Sequence, residues 1–181
     1  VGADVVGEGA QVTVWSEEPC YKISDAKGSH PAREDMDGVR VERFARLPFW
    51  RAVRLVRLLD QFLFPVRVAA RAVLRRLKGD HYELVWTATI PPIASGLVAR
   101  LAARLFGARL LYHCQDLYPE IACQMGIWRK NGWIYAVANA LERATRARAD
   151  LLVTLSEDMA NTVRALAEPR RLAIINNFAL D

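Results

Sequence analysis

Apolar and polar positions along this chain switch between two periods. Gln11 to Trp15 (QVTVW) is a short run with β-branched residues and predicts a strand. Ser16 to Met36 is polar, with Pro, Gly and Ser, and predicts a loop. Asp37-Gly38 is a turn signal. It precedes Val39 to Phe44 (VRVERF), whose alternation of apolar and charged residues predicts a strand near a sheet edge. Four short apolar runs follow, at 84–90, 109–114, 151–155 and 172–177. Such runs, bounded by turn residues, read as core strands of a parallel sheet.

Helical patterns fill the spaces between. Residues 48–78 read as a helix, and Pro65 inside it is expected to kink or split it. Gly79-Asp80 ends it. Pro91-Pro92 introduces a helix that stops at Gly107. Residues 133–148 form a long helical pattern with Arg143, Arg146 and Arg148 near its C-terminal end, where the helix dipole favours cations. Ser156 caps a further helix with Glu157 and Asp158 in its first turn, and Glu168-Pro169 breaks it. Strands alternating with helices predict an α/β fold: a Rossmann-like, doubly wound, mainly parallel sheet in a single domain over residues 1–181.

Composition sharpens this picture in two places. The chain has 181 residues, about half apolar, and a net charge of +5. That is enough for a sizeable core, and it invites an anionic partner. The positive charge is concentrated. Arg46, Arg51, Arg54, Arg57, Arg67, Arg71, Arg75, Arg76 and Lys78 are opposed in that stretch by Asp60 alone. Bulky apolar groups (Phe49, Trp50, Leu55, Leu58, Leu59, Phe62, Leu63, Phe64) lie among these arginines. That composition suits an interfacial helix on anionic lipid, with Phe49, Trp50, Arg51, Arg54 and Arg57 as contacts. The other reading is a core-packed helix with arginines on its solvated face; the adjacent aromatics Phe49-Trp50 favour membrane contact. Charge on a leucine- and phenylalanine-rich helix favours lipid over nucleic acid.

Cys20, Cys114 and Cys123 are odd in number and widely spaced, which fits a reducing compartment better than a disulfide framework. No run of about 18 uncharged apolar residues predicts a membrane span. The opening residues do not read as a signal peptide. The chain starts without Met in what reads as the end of a helix, which suggests a piece of a longer protein. Gly7-Glu8-Gly9 lacks the third glycine and the preceding strand of a dinucleotide fingerprint. No Ser-His-Asp order suggests a hydrolase, and no His/Cys cluster suggests a metal.

The densest chemistry is LLYHCQDLYPE, Leu110 to Glu120. An apolar strand ends abruptly in His113, Cys114, Gln115 and Asp116, then Tyr118-Pro119 and Glu120. In open α/β sheets, ligands sit just beyond the carboxyl ends of the strands. Asp116 reads as a hydrogen-bond acceptor or weak base for a hydroxyl, or as a cap for the following turn. Glu120 reads as a substrate contact or as a favourable charge at a helix N-terminus. Tyr118 reads as a stacking ring or a buried one. On the neighbouring strand, Thr89 and Pro91 lead into helix amides suited to an acceptor or phosphate, or form an ordinary strand–helix turn.

Four segments, in order, resemble the N-terminal, acceptor-side domain of a family 4 glycosyltransferase with the GT-B fold, of the type that builds bacterial exopolysaccharide, colanic acid or O-antigen. They are QVTVW with its long loop, TATIPPIASGLVARLAARLFGARLLYHCQDLYPE, ALERATRARADLLVTLSEDM, and IINNFALD. The resemblance covers nearly the whole chain. It implies transfer of a sugar, with retention, from a nucleotide-sugar donor to a polyprenyl-diphosphate-linked glycan, without metal or cofactor. It places the work in the cytoplasm, at the inner face of the cytoplasmic membrane. It also implies that a first strand with a Gly-rich loop and a nucleotide-sugar-binding second domain lie outside this stretch. By resemblance His113 stands near the reacting sugar, where it would bond a donor hydroxyl; the other reading is a core histidine bonded to a carbonyl. Asp116 is the second catalytic candidate, and Thr89, Pro91, Gln115, Tyr118 and Glu120 are candidate substrate contacts. The competing function is a non-catalytic basic Rossmann-like module that binds anionic membrane or nucleic acid.

Overall fold

The structure, a computed structural model, describes residues 6–7, 9–17, 31–45 and 54–176, and only the backbone of residues 54, 55, 57, 58, 60 and 61. The chain falls into two compact units, Val1–Val68 and Ala69–Asp181.

The first unit holds a three-stranded sheet in the order β1-β3-β2, with β1 at Val12–Glu17, β2 at Arg33–Met36 and β3 at Val39–Phe44. β1 and β3 are parallel; β2 and β3 form an antiparallel hairpin. Both of its turn residues have positive φ, 53° at Asp37 and 81° at Gly38. Asp-Gly supplies that geometry in two-residue hairpins. The Gly38 amide donates to Asp35 Oδ1 at 3.0 Å. β2 corrects the expected loop: RED is charged because β2 is an edge strand, and edges are commonly charged. On β3, Val39 and Val41 are buried.

Helix α1 is Arg54–Leu77 and contains Pro65 without interruption. Of the expected kink or split, the split does not occur. A proline removes one backbone hydrogen bond, which the remaining turns of a long helix tolerate. Phe49, Trp50 and Arg51, three of the expected membrane contacts, lie outside the described residues, as do the side chains of Arg54 and Arg57.

The second unit is a four-stranded, wholly parallel sheet in the order β4-β5-β6-β7: Leu84–Ala88, Arg109–Cys114, Leu151–Thr154 and Leu172–Ile174. The connections carry α2 (Ala94–Phe106), the short α3 (Glu120–Gln124), α4 (Trp133–Arg146) and α5 (Glu157–Leu166). Ser156 caps α5, its hydroxyl accepting from the Met159 amide at 3.3 Å, as the sequence predicts. The core joins Ala99 and Ala103 of α2, Leu110 and Tyr112 of β5, Ala149 with Leu152 of β6, and Val163 of α5. Alternation along β5 sends Leu110, Tyr112 and Cys114 into that core and turns Leu111 and His113 to the other face of the sheet.

Candidate active site at the carboxyl ends of the strands

β4 and β5 end side by side, Ala88 opposite His113. Thr89, the next residue after β4, is 1% exposed. Its hydroxyl oxygen accepts from the amides of both Gln115 and Asp116, each at 3.3 Å. So Thr89 fastens the turn that follows β5, and its position inside the fold is that of a brace. Ser95 adds a second tie, its hydroxyl donating to the Ala88 carbonyl at 2.8 Å. The chain then turns through the cis Ile90–Pro91 bond and through Ile93, whose φ is 63°. The amides of Ala94 and Ser95 donate to the carbonyls of Pro92 and Pro91. This answers the idea that the first helical amides wait for a phosphate: two of them are already engaged within the turn.

A second brace comes from α4. Its buried stripe is Ala138, Glu142, Thr145 and Arg146, while Trp133, Ile134, Val137 and Leu141 are exposed. The helix thus turns its polar face inward. Arg146 is 0% exposed, Glu142 1% and Tyr112 0%. Arg146 Nε lies 3.3 Å from Glu142 Oε1, one helical turn away. The Tyr112 hydroxyl donates to the same oxygen at 2.7 Å. Arg146 Nη2 donates to the Tyr118 carbonyl at 2.8 Å, which ties the loop after Asp116 to the helix core. Burial pushes the Glu142 carboxyl above its ordinary range, with Arg146 and Tyr112 opposing that push. Burial also raises the Tyr112 phenol, and the Glu142 charge adds to it. The Cys114 thiol is pushed up to about 11, chiefly by burial, so it stays protonated.

Glu142 and Arg146 were legible as a spacing but not as a site. Arg146 looks like a cation at a helix C-terminus. The signal was the register: 138, 142, 145 and 146 share one helical face, and that face is the buried one.

The expected site residues divide. Gln115 and Asp116 are half-buried and joined through their amides to Thr89. Tyr118 contributes its carbonyl to Arg146, and its peptide bond to Pro119 is cis. Glu120 opens α3, with both carboxylate oxygens shielded from solvent and without a hydrogen-bond partner among the described residues. His113 stands on the opposite face of β5 from Tyr112. Its ring centre is 6.5 Å from that of Trp86. Its Nε2 is shielded from solvent and has no partner among the described residues. Burial lowers its pKa, so the ring is neutral at pH 7. No hydrogen bond joins His113 to Asp116 among the described residues.

Comparison with known proteins decides the family. The glycosyl transferase 4-like domain model matches residues 3–177. The chain belongs to that family. Two structures of sucrose-phosphate synthase from Thermosynechococcus elongatus share its fold, each with a TM-score of 0.61. The first, from a twinned crystal, is 15% identical, and the match covers 98% of this chain and 81% of that one. The second is 16% identical and covers 97% of this chain; there the chain spans 40% of its counterpart's length. No curated protein sequence matches it. This glycosyltransferase-like domain is therefore an α/β domain of the kind that forms half of a GT-B fold. Among the described residues, no helix is long and apolar enough to cross a membrane.

Proposed function

We propose that this domain is the acceptor-side half of a retaining glycosyltransferase that moves a sugar from a nucleotide-sugar donor to a polyprenyl-diphosphate-linked glycan in cell-surface polysaccharide synthesis. The family match carries the glycosyltransferase part of the reading. The joined ends of β4 and β5 support the site, because a polar cluster fastened beyond the carboxyl ends of parallel strands suits ligand binding in an α/β sheet. In the transfer, an acceptor hydroxyl oxygen bonds to the anomeric carbon while that carbon's bond to the diphosphate breaks. The electron pair leaves on the nucleoside diphosphate, and the acceptor proton passes to a carboxylate or to the departing phosphate. Asp116 accepts a hydrogen bond from the acceptor hydroxyl. The neutral His113 bonds a sugar hydroxyl through its unpartnered Nε2. Gln115 and Tyr118 contact the sugars. The chemistry runs without metal or cofactor.

A peripheral position at the inner face of the cytoplasmic membrane goes with a lipid-linked acceptor. It is supported by apolar side chains left in solvent. In the first unit, α1 exposes Leu59, Phe62 and Val66, with Phe62 72% exposed. In the second, α4 exposes Trp133, Ile134, Val137 and Leu141, with Trp133 77% exposed. Exposed apolar faces with aromatic residues suit an interfacial helix.

The test is to incubate the protein encoded by the complete gene with a panel of labelled nucleotide sugars and a polyprenyl-diphosphate-linked sugar. Label in the lipid-extractable product supports the reading. Label transferred only to water-soluble acceptors overturns the lipid-linked part. No transfer from any donor favours a non-catalytic module.

A further inference from the structure

A different cluster lies at the other end of the second unit's sheet. Arg100 and Arg104 stand one turn apart on α2. Arg148 follows the end of α4, and Arg170 precedes β7. These four arginines line a cleft of about 440 Å³ at the amino ends of β5 and β6, with Gly107 and Asp150 in its wall. The single carboxylate is engaged. Asp150 Oδ1 accepts from Arg170 at 3.1 Å, and Oδ2 accepts from the Leu110 amide at 2.8 Å. Arg148 donates weakly to the Ala144 carbonyl at 3.4 Å. Arg100 and Arg104 have no hydrogen bond or ion pair among the described residues.

Helix C-termini attract cations, and both α2 and α4 end at this cleft. Each end supplies only about half a negative elementary charge. Together with Asp150 they leave roughly two of the four positive charges without compensation. Burial lowers the Arg100 pKa, and the charge of Arg148 lowers it further, so these two guanidinium groups feel each other. Like charges gathered in a concave site with small walls are compensated by an anion that carries more than one charge. Planar guanidinium forks match phosphate oxygens in pairs. The cleft lies within the range of small-ligand sites, roughly 300–1,000 Å³.

We propose that this cleft binds the phosphate groups of a multiply charged ligand through Arg100, Arg104 and Arg148, as either a soluble phosphate compound or an anionic lipid headgroup. The site is independent of the strand-end reading above, and it stands or falls without any sugar transfer.

The full-length protein is titrated with inorganic tripolyphosphate by calorimetry at low salt. In parallel it is floated with phosphatidylglycerol or phosphatidylcholine vesicles. Binding of tripolyphosphate identifies a soluble source; binding of phosphatidylglycerol vesicles alone identifies a headgroup. In either arm, Arg104→Glu and the Arg100→Gln/Arg148→Gln pair weaken binding at least tenfold. The pair Arg40→Gln/Arg164→Gln removes equal charge elsewhere and changes it less than twofold. Arg104 is exposed, so Arg104→Glu keeps the fold intact. The proposal is overturned if neither probe binds, if both cleft variants bind as the wild type does, or if the distant pair loses as much as the cleft pair.

Discussion

Replacing Arg146 by Met removes the one cation from a buried group of polar side chains. Glu142, 1% exposed, then keeps a hydroxyl donor from Tyr112 but no opposite charge. The Tyr118 carbonyl loses its 2.8 Å donor. Breaking one side of a buried ion pair costs about 3–5 kcal/mol. The lost charged hydrogen bond to Tyr118 belongs to the same perturbation and adds less than its separate value of about 1.5–3 kcal/mol. A total near 4 kcal/mol is a large part of the roughly 5–15 kcal/mol that stabilises a domain. Urea denaturation followed by tryptophan fluorescence measures it. Glu142 also supplies a sign. Its carboxyl is raised by burial even with Arg146 present, and removing the cation raises it further. A raised carboxyl in the folded state means that stability is fullest below the unfolded pKa, about 4.3, and is lost as pH climbs through the folded value. The penalty for Arg146→Met therefore shrinks as pH falls from 7.5 towards 4.5. Glu142→Gln in the same chain removes most of the remaining penalty. A loss below about 1 kcal/mol at pH 7.5, or a penalty that does not change with pH, refutes the buried-pair account.

Three further outcomes follow from the same geometry. A Cβ on Gly96 would stand 2.8 Å from Thr145 Cγ2, so Gly96→Ala lowers stability by about 1–2 kcal/mol despite alanine's helical advantage; in a Thr145→Ser background, where that methyl is gone, the same change is neutral or stabilising by thermal melt. His113 is half-buried with a lowered pKa, so its contribution is complete above the unfolded value of about 6.5 and is lost as pH falls from there through the lower folded value; His113→Asn flattens the dependence of unfolding free energy on pH between 7.5 and 5.5. Cys114 is 0% exposed with its thiol pushed up to about 11, so at pH 8 a thiol reagent modifies it only as fast as the domain unfolds, whereas rapid modification of native Cys114 contradicts its burial.

Much of the fold was legible because parallel strands are apolar runs cut off by turn residues. β3 and β5 fall on their expected residues, and the strand–helix alternation gives the α/β class. β2 was missed because an edge strand needs no apolar face. α1 runs through Pro65 where a kink or split was expected, because the other turns of a long helix keep their hydrogen bonds. The strand-end cluster at His113–Asp116 could be seen from a strand that stops in polar residues. Its bracing could not. Thr89 acts on residues 26 and 27 positions away, and Arg146 acts on a carbonyl 28 positions away. Such pairings depend on how strands align, which periodicity along the chain does not reveal. The arginine cleft was hidden for the same reason, since Arg100 and Arg170 come to line one cleft only once the sheet has formed.

The most direct test of the central claim is the rate of sugar transfer by full-length protein carrying Asp116→Ala or His113→Ala, measured beside the wild type with the donor that labels lipid. Both side chains are half-buried at the strand end, and each variant is first shown to melt within a few degrees of the wild type. Losses of about 10²–10³-fold in turnover are expected for at least one of them. Transfer at the wild-type rate by both variants would contradict the site at the ends of β4 and β5.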